Sequence, residues 1–94
     1  MSEYRMNWPP HIRDRLLDFI SATLSGTGHE TAELNSALRA IEEALRQTPR
    51  TAGESRVGNW RVILEPPLSV DYRVDEAARE VLVLAVHYSR GKRP

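Results

Sequence analysis

The chain has 94 residues, no cysteine, and 13 basic residues set against 13 acidic ones, which suits one domain with one modest core. Without cysteine there is no disulfide and no thiolate to bind metal or attack a substrate, and the charge balance does not announce a polyanion binder. The longest apolar run, Val81 to Val86, falls far short of the ~20 residues that a membrane-spanning helix needs.

The opening MSEYRMNWPP lacks the charged and apolar regions of a signal peptide, so a cytoplasmic protein with no membrane partner is expected. Tyr4, Met6 and Trp8 alternate with Arg5 and Asn7, the period of a short strand. Pro9-Pro10 stops that strand, since proline cannot donate to a ladder, and suits the first turn of a helix. Ile12, Leu16, Phe19, Ile20 and Leu24 then recur at helical spacing, which predicts a helix from about Pro10 to Ser25.

Gly26-Thr27-Gly28 breaks it. Thr27 is a candidate N-cap with Glu30 three residues on, as in a capping box. Leu34, Leu38, Ile41 and Leu45 form the next stripe, with Ala37 and Ala44 beside it. This second helix should end near Gln47, because Pro49 disfavours helical geometry at Thr48. The short link predicts a helical hairpin with its leucine stripe in the core.

Pro49 to Gly58 reads as the longest irregular stretch, after which the period changes to two. Trp60, Val62 and Leu64 alternate with Arg61, Ile63 and Glu65; after Pro66-Pro67, Leu68, Val70, Tyr72 and Val74 alternate with Ser69, Asp71, Arg73 and Asp75. Val81 to Tyr88 is apolar on both faces, as an interior strand would be. The expected fold is therefore α+β: a short N-terminal strand, a helical hairpin and a three-stranded antiparallel meander, with the helices on one face of the sheet.

Parity assigns the faces. Taking the bulky rows as core puts Trp60, Val62 and Leu64 under the helices with Leu82, Leu84, Val86 and Tyr88. Val81, Val83, Ala85 and His87 then share the open face with Arg61, Ile63, Ser69, Asp71 and Arg73. Closing the first hairpin with Leu64 opposite Leu68 sets Arg61 against Asp71 as an ion pair. Closing the second with Val74 opposite Leu82 sets Ser69 against His87 and leaves Asp71 diagonal to it, about 7–8 Å away. Arg73 should then lie more than about 10 Å from His87 at about 3.3 Å per residue. The open face thus gathers a group that titrates near neutral pH, arginines, and the basic end Arg90, Lys92 and Arg93. Twelve of the 13 basic residues are arginine, the better fork for phosphate. His11, His29 and His87 share no metal-ligand spacing, and no phosphate-binding glycine loop or Gly-x-Ser-x-Gly elbow occurs, so no metal and no cofactor is expected.

The segment EYRMNWPPHIRDRLLDFI resembles the first strand and helix of RelE/ParE-type toxins of bacterial type II toxin–antitoxin systems. IEEALRQTPRTAGESRVGNWRVILEPPLSVDYRVDEAAREVLVLAVHYSR is the closer match. It carries the helix-to-loop proline, a Gly-x-x-Arg-Val entry to the sheet, a Tyr-Arg-Val-Asp turn and a hydrophobic last strand ending in histidine. The resemblance covers nearly all of residues 1–94 and implies a single RelE/ParE-like domain whose last residues, 89–94, form a flexible basic tail. It implies a cognate antitoxin peptide as partner, with one of two targets. RelE-like toxins are ribosome-dependent endoribonucleases that cut messenger RNA by 2′-hydroxyl attack on the adjacent phosphate; ParE-like relatives are non-enzymatic inhibitors of DNA gyrase. Carried over by position, His87 is the acid/base group, with Arg61 and Tyr88 beside it in the catalytic set, and Arg73, Arg90 and Lys92 hold phosphate. The chain departs from the nuclease pattern in its neutral charge and in the apolar Pro66-Pro67-Leu68 corner and Val70, which fits a weakened or inactive relative.

Overall fold

The computed structural model describes residues 3–24, 26 and 28–89. Strand β1 (Arg5–Asn7) leads through Pro9 into helix α1 (Pro10–Leu24), followed by helix α2 (Gly28–Gln47), a single helical turn α3 (Pro49–Ala52), and strands β2 (Glu54–Ser55), β3 (Trp60–Glu65), β4 (Leu68–Asp75) and β5 (Glu80–Tyr88). The sheet order is β1-β5-β4-β3-β2. β1 runs parallel to β5, and the other neighbours are antiparallel. The candidate cap Thr27 and the basic residues 90–94 lie outside the described residues. Among the described residues no helix is long and apolar enough to cross a membrane.

The two long helices keep the bounds their sequence pattern predicts, and their apolar stripes build one core. Leu34, Ile41 and Leu45 are fully buried, as are Val70, Tyr72, Val81 and Val86 of the sheet. Leu24 departs from its stripe and is 67% exposed. The hairpin is tied by Thr23, whose hydroxyl donates to Ile20 O at 2.7 Å and shares a 2.9 Å hydrogen bond with the hydroxyl of Thr31. The stretch from Pro49 to Gly58 is not irregular throughout. Proline preorganises the first turn of α3, and Glu54-Ser55 adds an edge strand to β3.

The face assignment of β3 is the main correction. The link between β3 and β4 is the two residues Pro66-Pro67, with Glu65 opposite Leu68, so Ile63 meets Val70 and Arg61 meets Tyr72. The expected three-residue link would have put Leu64 opposite Leu68. A shift of one residue exchanges the faces of a whole strand. Trp60 and Leu64, expected in the core, are 40% and 64% exposed, while Ile63 packs into the core cluster. Arg61 and Asp71 lie on opposite faces, so the expected ion pair between them cannot form.

β5 carries the second correction. Ser69↔His87, Val70↔Val86 and Asp71↔Ala85 pair as expected, but Tyr72 pairs with Val83 and Val74 with Val81. Leu84 is the extra residue of a bulge, and a bulge reverses the alternation beyond it. Val86 stays in the core, as expected, yet Val81 and Val83 join it there instead of facing the open side. Leu82 and Leu84 are displaced from the core row. The apolar character of both rows of β5 follows from this change of parity as well as from its place between β1 and β4.

Gly53 sits where α3 meets β2, and space rather than backbone freedom requires it. A Cβ there would lie 2.6 Å from Val62 O and 2.7 Å from the Tyr72 hydroxyl, closer than real Cβ contacts. Gly53→Ala is expected to lower stability by about 1–3 kcal/mol, read as a fall in thermal midpoint; an unchanged midpoint would show that this corner yields.

Candidate functional site

His87 projects from the open face of β5, exposed and directly opposite Ser69. This placement is the one expected from the sequence. Tyr88 points to the other face. Its ring packs on Phe19 of α1, with centroids 5.4 Å apart and planes inclined by 31°, and Arg15 lies over that Phe19 ring at 5.2 Å. The same Arg15 donates through Nε to Val86 O at 3.2 Å, so α1 holds the end of β5 from its flank. His87 and Tyr88 are therefore adjacent in sequence but lie on opposite faces of the sheet. Arg90 and Lys92, predicted to hold phosphate, lie outside the described residues.

Arg61 and Arg73 both lie towards the other end of the sheet, Arg61 on the helix-side face opposite Tyr72 and Arg73 on the open face. A groove of about 650 Å³ runs across the end of the sheet beside the β4–β5 turn, and Arg50, Arg61 and Arg73 line it together with Asp75, Glu76 and Glu80. Each arginine comes from a different element: Arg50 from α3, Arg61 from β3 and Arg73 from β4. The Arg61 guanidinium donates through Nη2 to Gly53 O, which aligns it across β2, while its Nε is buried with no hydrogen-bond partner among the described residues. Arg73 is exposed, opposite Trp60 on one side and Leu82 on the other. Leu82 and His87 are five residues apart on β5, about 16 Å at about 3.3 Å per residue. The phosphate-binding and proton-transfer candidates thus occupy two ends of the sheet, as the expected separation of Arg73 from His87 requires. Arg61, expected on the open face with His87 and Arg73, lies instead on the helix-side face opposite Tyr72.

A cluster that sequence reading missed adjoins the groove, sharing Arg50 and Glu76 with its lining. The Tyr4 hydroxyl donates to the carboxylate of Glu76, lying 2.9 and 3.0 Å from its two oxygens, across 72 residues of sequence. Arg79 stacks over the Tyr4 ring at 4.2 Å and reaches the phenol oxygen with Nη1 at 3.3 Å. Arg79 and Arg50 approach Glu76 at 3.8 and 3.5 Å. Arg79 adopts φ +53°, a left-handed conformation that costs a non-glycine residue about 1 kcal/mol. Its carbonyl meanwhile accepts from Arg5 N at 2.9 Å, so the turn and β1 are locked together. Nothing in the local pattern around Arg50, Glu76 or Arg79 signals this cluster, because its members come from three separate elements.

The hydrogen bond to the Glu76 carboxylate raises the pKa of Tyr4 above that of an ordinary phenol, helped by burial and opposed by the positive charge of Arg79. The sign is that of a group favoured in its protonated form: the stabilisation is present below the unfolded phenol pKa and is lost as pH rises through the folded one. Ultraviolet titration of the native protein should therefore show a tyrosine ionising later than a free phenol, and Tyr4→Phe should remove that late step. A late step persisting in Tyr4→Phe would assign it elsewhere. Among the described residues no group of three or more His, Asp or Glu could hold a metal ion.

The fold is that of RelE-type toxins: an N-terminal strand, two long helices on one face, and a mixed five-stranded sheet. The particular structure it resembles is a chain in the crystal structure of the toxin–antitoxin complex RelBE2 from Mycobacterium tuberculosis. The likeness has a TM-score of 0.65 over 92% of this chain and 98% of that one, at 16% sequence identity, and is one of fold. No protein-family model and no curated protein sequence matches the chain.

Proposed function

We propose that this chain is the toxin-like component of a type II toxin–antitoxin pair, held by a cognate antitoxin peptide and directed at messenger RNA on the bacterial ribosome, and hence working in the cytoplasm. The observation that carries the reading is the fold shared, end to end, with a chain of a toxin–antitoxin complex. The presence of Arg50, Arg61 and Arg73 among the residues lining one groove supports a phosphate-bearing target. In this reading the 2′-hydroxyl attacks the adjacent phosphate, forming the 2′-O–P bond and breaking the bond to the 5′-oxygen. His87 moves the proton from the 2′-hydroxyl towards the leaving 5′-oxygen, the arginines at the other end of the sheet attract other phosphates of the strand, and Arg90 and Lys92 add positive charge. Tyr88, turned onto Phe19, acts by holding the end of β5 that carries His87.

One observation favours a second reading, a non-enzymatic binder such as a gyrase inhibitor or an antitoxin-bound inactive relative. Among the described residues His87 and the arginines do not share a site. Expression from a tight promoter in a bacterium lacking the neighbouring genes separates the two. Growth arrest with messages cut within codons supports the nuclease, and relief by co-expression of a small adjacent gene supports an antitoxin. Arrest with intact messages would overturn the nuclease and leave the binder. No arrest at full soluble level would overturn toxicity itself.

A further inference from the structure

The open face of the sheet is not the polar surface that an uncovered antiparallel sheet commonly shows to water. Val70 and Tyr72 are buried under the helices, so Ser69, Asp71, Arg73 and Asp75 of β4 point the other way. Arg73 lies between Trp60 of β3 and Leu82 of β5, and Asp71 lies between Val62 and Ala85. Each charge therefore sits in a row of apolar side chains, and Trp60, Leu64 and the bulge residue Leu84 are large hydrophobics left exposed. Neither Asp71 nor Arg73 makes an ion pair or side-chain hydrogen bond among the described residues. An exposed apolar patch that frames unpaired charges of both signs marks an interaction surface.

The order of those charges says what covers it. Asp71 and Arg73 are opposite in sign and flank Tyr72 on one strand. A two-fold axis running across the strands at the level of Tyr72, in the plane between two such faces, lays β4 antiparallel on the β4 of a second copy. Asp71 then meets the partner's Arg73, and Arg73 meets the partner's Asp71, the reciprocity of an isologous interface. The apolar rows fall on themselves in the same operation: Trp60 comes over the partner's Val62, and Leu82 over the partner's Ala85. At the margin His87, opposite Ser69, comes over the partner's Glu80, opposite Asp75. An axis along the strands would instead set Asp71 on the partner's Asp71, which like-charge repulsion disfavours.

We infer that this chain associates with a second copy of itself through the open face, with reciprocal Asp71–Arg73 pairs at the centre of a two-fold, sheet-on-sheet contact. The inference is independent of toxin activity. It has one consequence for the proposed site, since the paired form covers His87.

The test is sedimentation velocity of the purified full chain over a dilution series from millimolar to nanomolar. Wild type is expected to pass from dimer to monomer on dilution. Asp71→Arg and Arg73→Asp each replace two attractive pairs by two repulsive ones. Each should raise the dissociation constant at least about a hundredfold, with circular dichroism unchanged. Mixed in equal amounts, the two variants should pair again, because each then meets its opposite charge across the contact. No interaction within one chain can produce that rescue. A wild type that stays monomeric throughout overturns the inference. So do variants that dimerise like wild type, which would put the contact on another face, and so does a mixture that stays monomeric. A second measurement needs no variant. Carbethoxylation of the histidines, read by mass spectrometry, should slow at His87 in concentrated protein but not at His11 or His29, which are exposed on the helices. His87 reacting equally fast in dilute and concentrated protein overturns the inference even where the charge variants fail to fold.

Discussion

Replacing Tyr72 by alanine is expected to leave little or no folded protein at physiological temperature. The side chain is fully buried at the centre of β4, and truncating a large buried aromatic costs about 3–5 kcal/mol. Its hydroxyl also donates to Pro49 O at 2.7 Å, buried and 23 residues away, so truncation strands a carbonyl. A domain of this size has only about 5–14 kcal/mol in total. Tyr72→Phe isolates the second effect. It keeps the ring and loses the bond, at about 1–3 kcal/mol for the unsatisfied acceptor, or a fall of very roughly 5–20 °C in midpoint. Because Pro49 opens α3, that variant should also loosen Arg50 and weaken whatever binds the groove. A Tyr72→Phe protein with wild-type midpoint would show that the Pro49 carbonyl finds another partner.

His87→Ala is expected to have the opposite profile, a large change in activity at almost constant stability. The side chain is exposed and makes no contact that packs the core, so stability should stay within about 0.5 kcal/mol of wild type. If His87 transfers the proton, its loss should lower message cleavage by about 10²–10⁴-fold, enough to abolish growth arrest. The comparison must be made at equal soluble level, which the unchanged midpoint guarantees. Cleavage that persists in His87→Ala would remove this residue from the chemistry and shift attention to groups in the arginine groove. Asp71, diagonal to His87 through Ala85 and Ser69, is the nearest carboxylate along the open face to orient the ring. Asp71→Asn should therefore cost less than His87→Ala and change its pH profile.

Much of this protein is legible without coordinates. Both long helices, the strand before them and the three strands after them follow from proline positions and from periods of 3.6 and 2, which are local properties of the chain. His87 on the open face opposite Ser69 was also within reach, since Val86 and Tyr88 anchor that end of β5 to the core. The misplaced features are those that depend on a count of one residue. Whether the corner at Pro66-Pro67 spends two residues or three decides which face of β3 meets the helices, and both choices leave a plausible apolar row. A bulge at Leu84 has the same power over β5, and in a strand apolar on both sides no pattern betrays it. The parallel pairing of β1 with β5 and the one-turn helix α3 are beyond local reading too, because their stabilising partners are distant in sequence. Arg61 shows the consequence. The sequence by itself determined that this chain has arginines, a strand-end histidine and a sheet to carry them; the tertiary structure decided that Arg61 turns to the helix-side face with Tyr72 while Arg73 and His87 keep the open face, because side-chain direction in a strand is set by a register that long-range packing chooses.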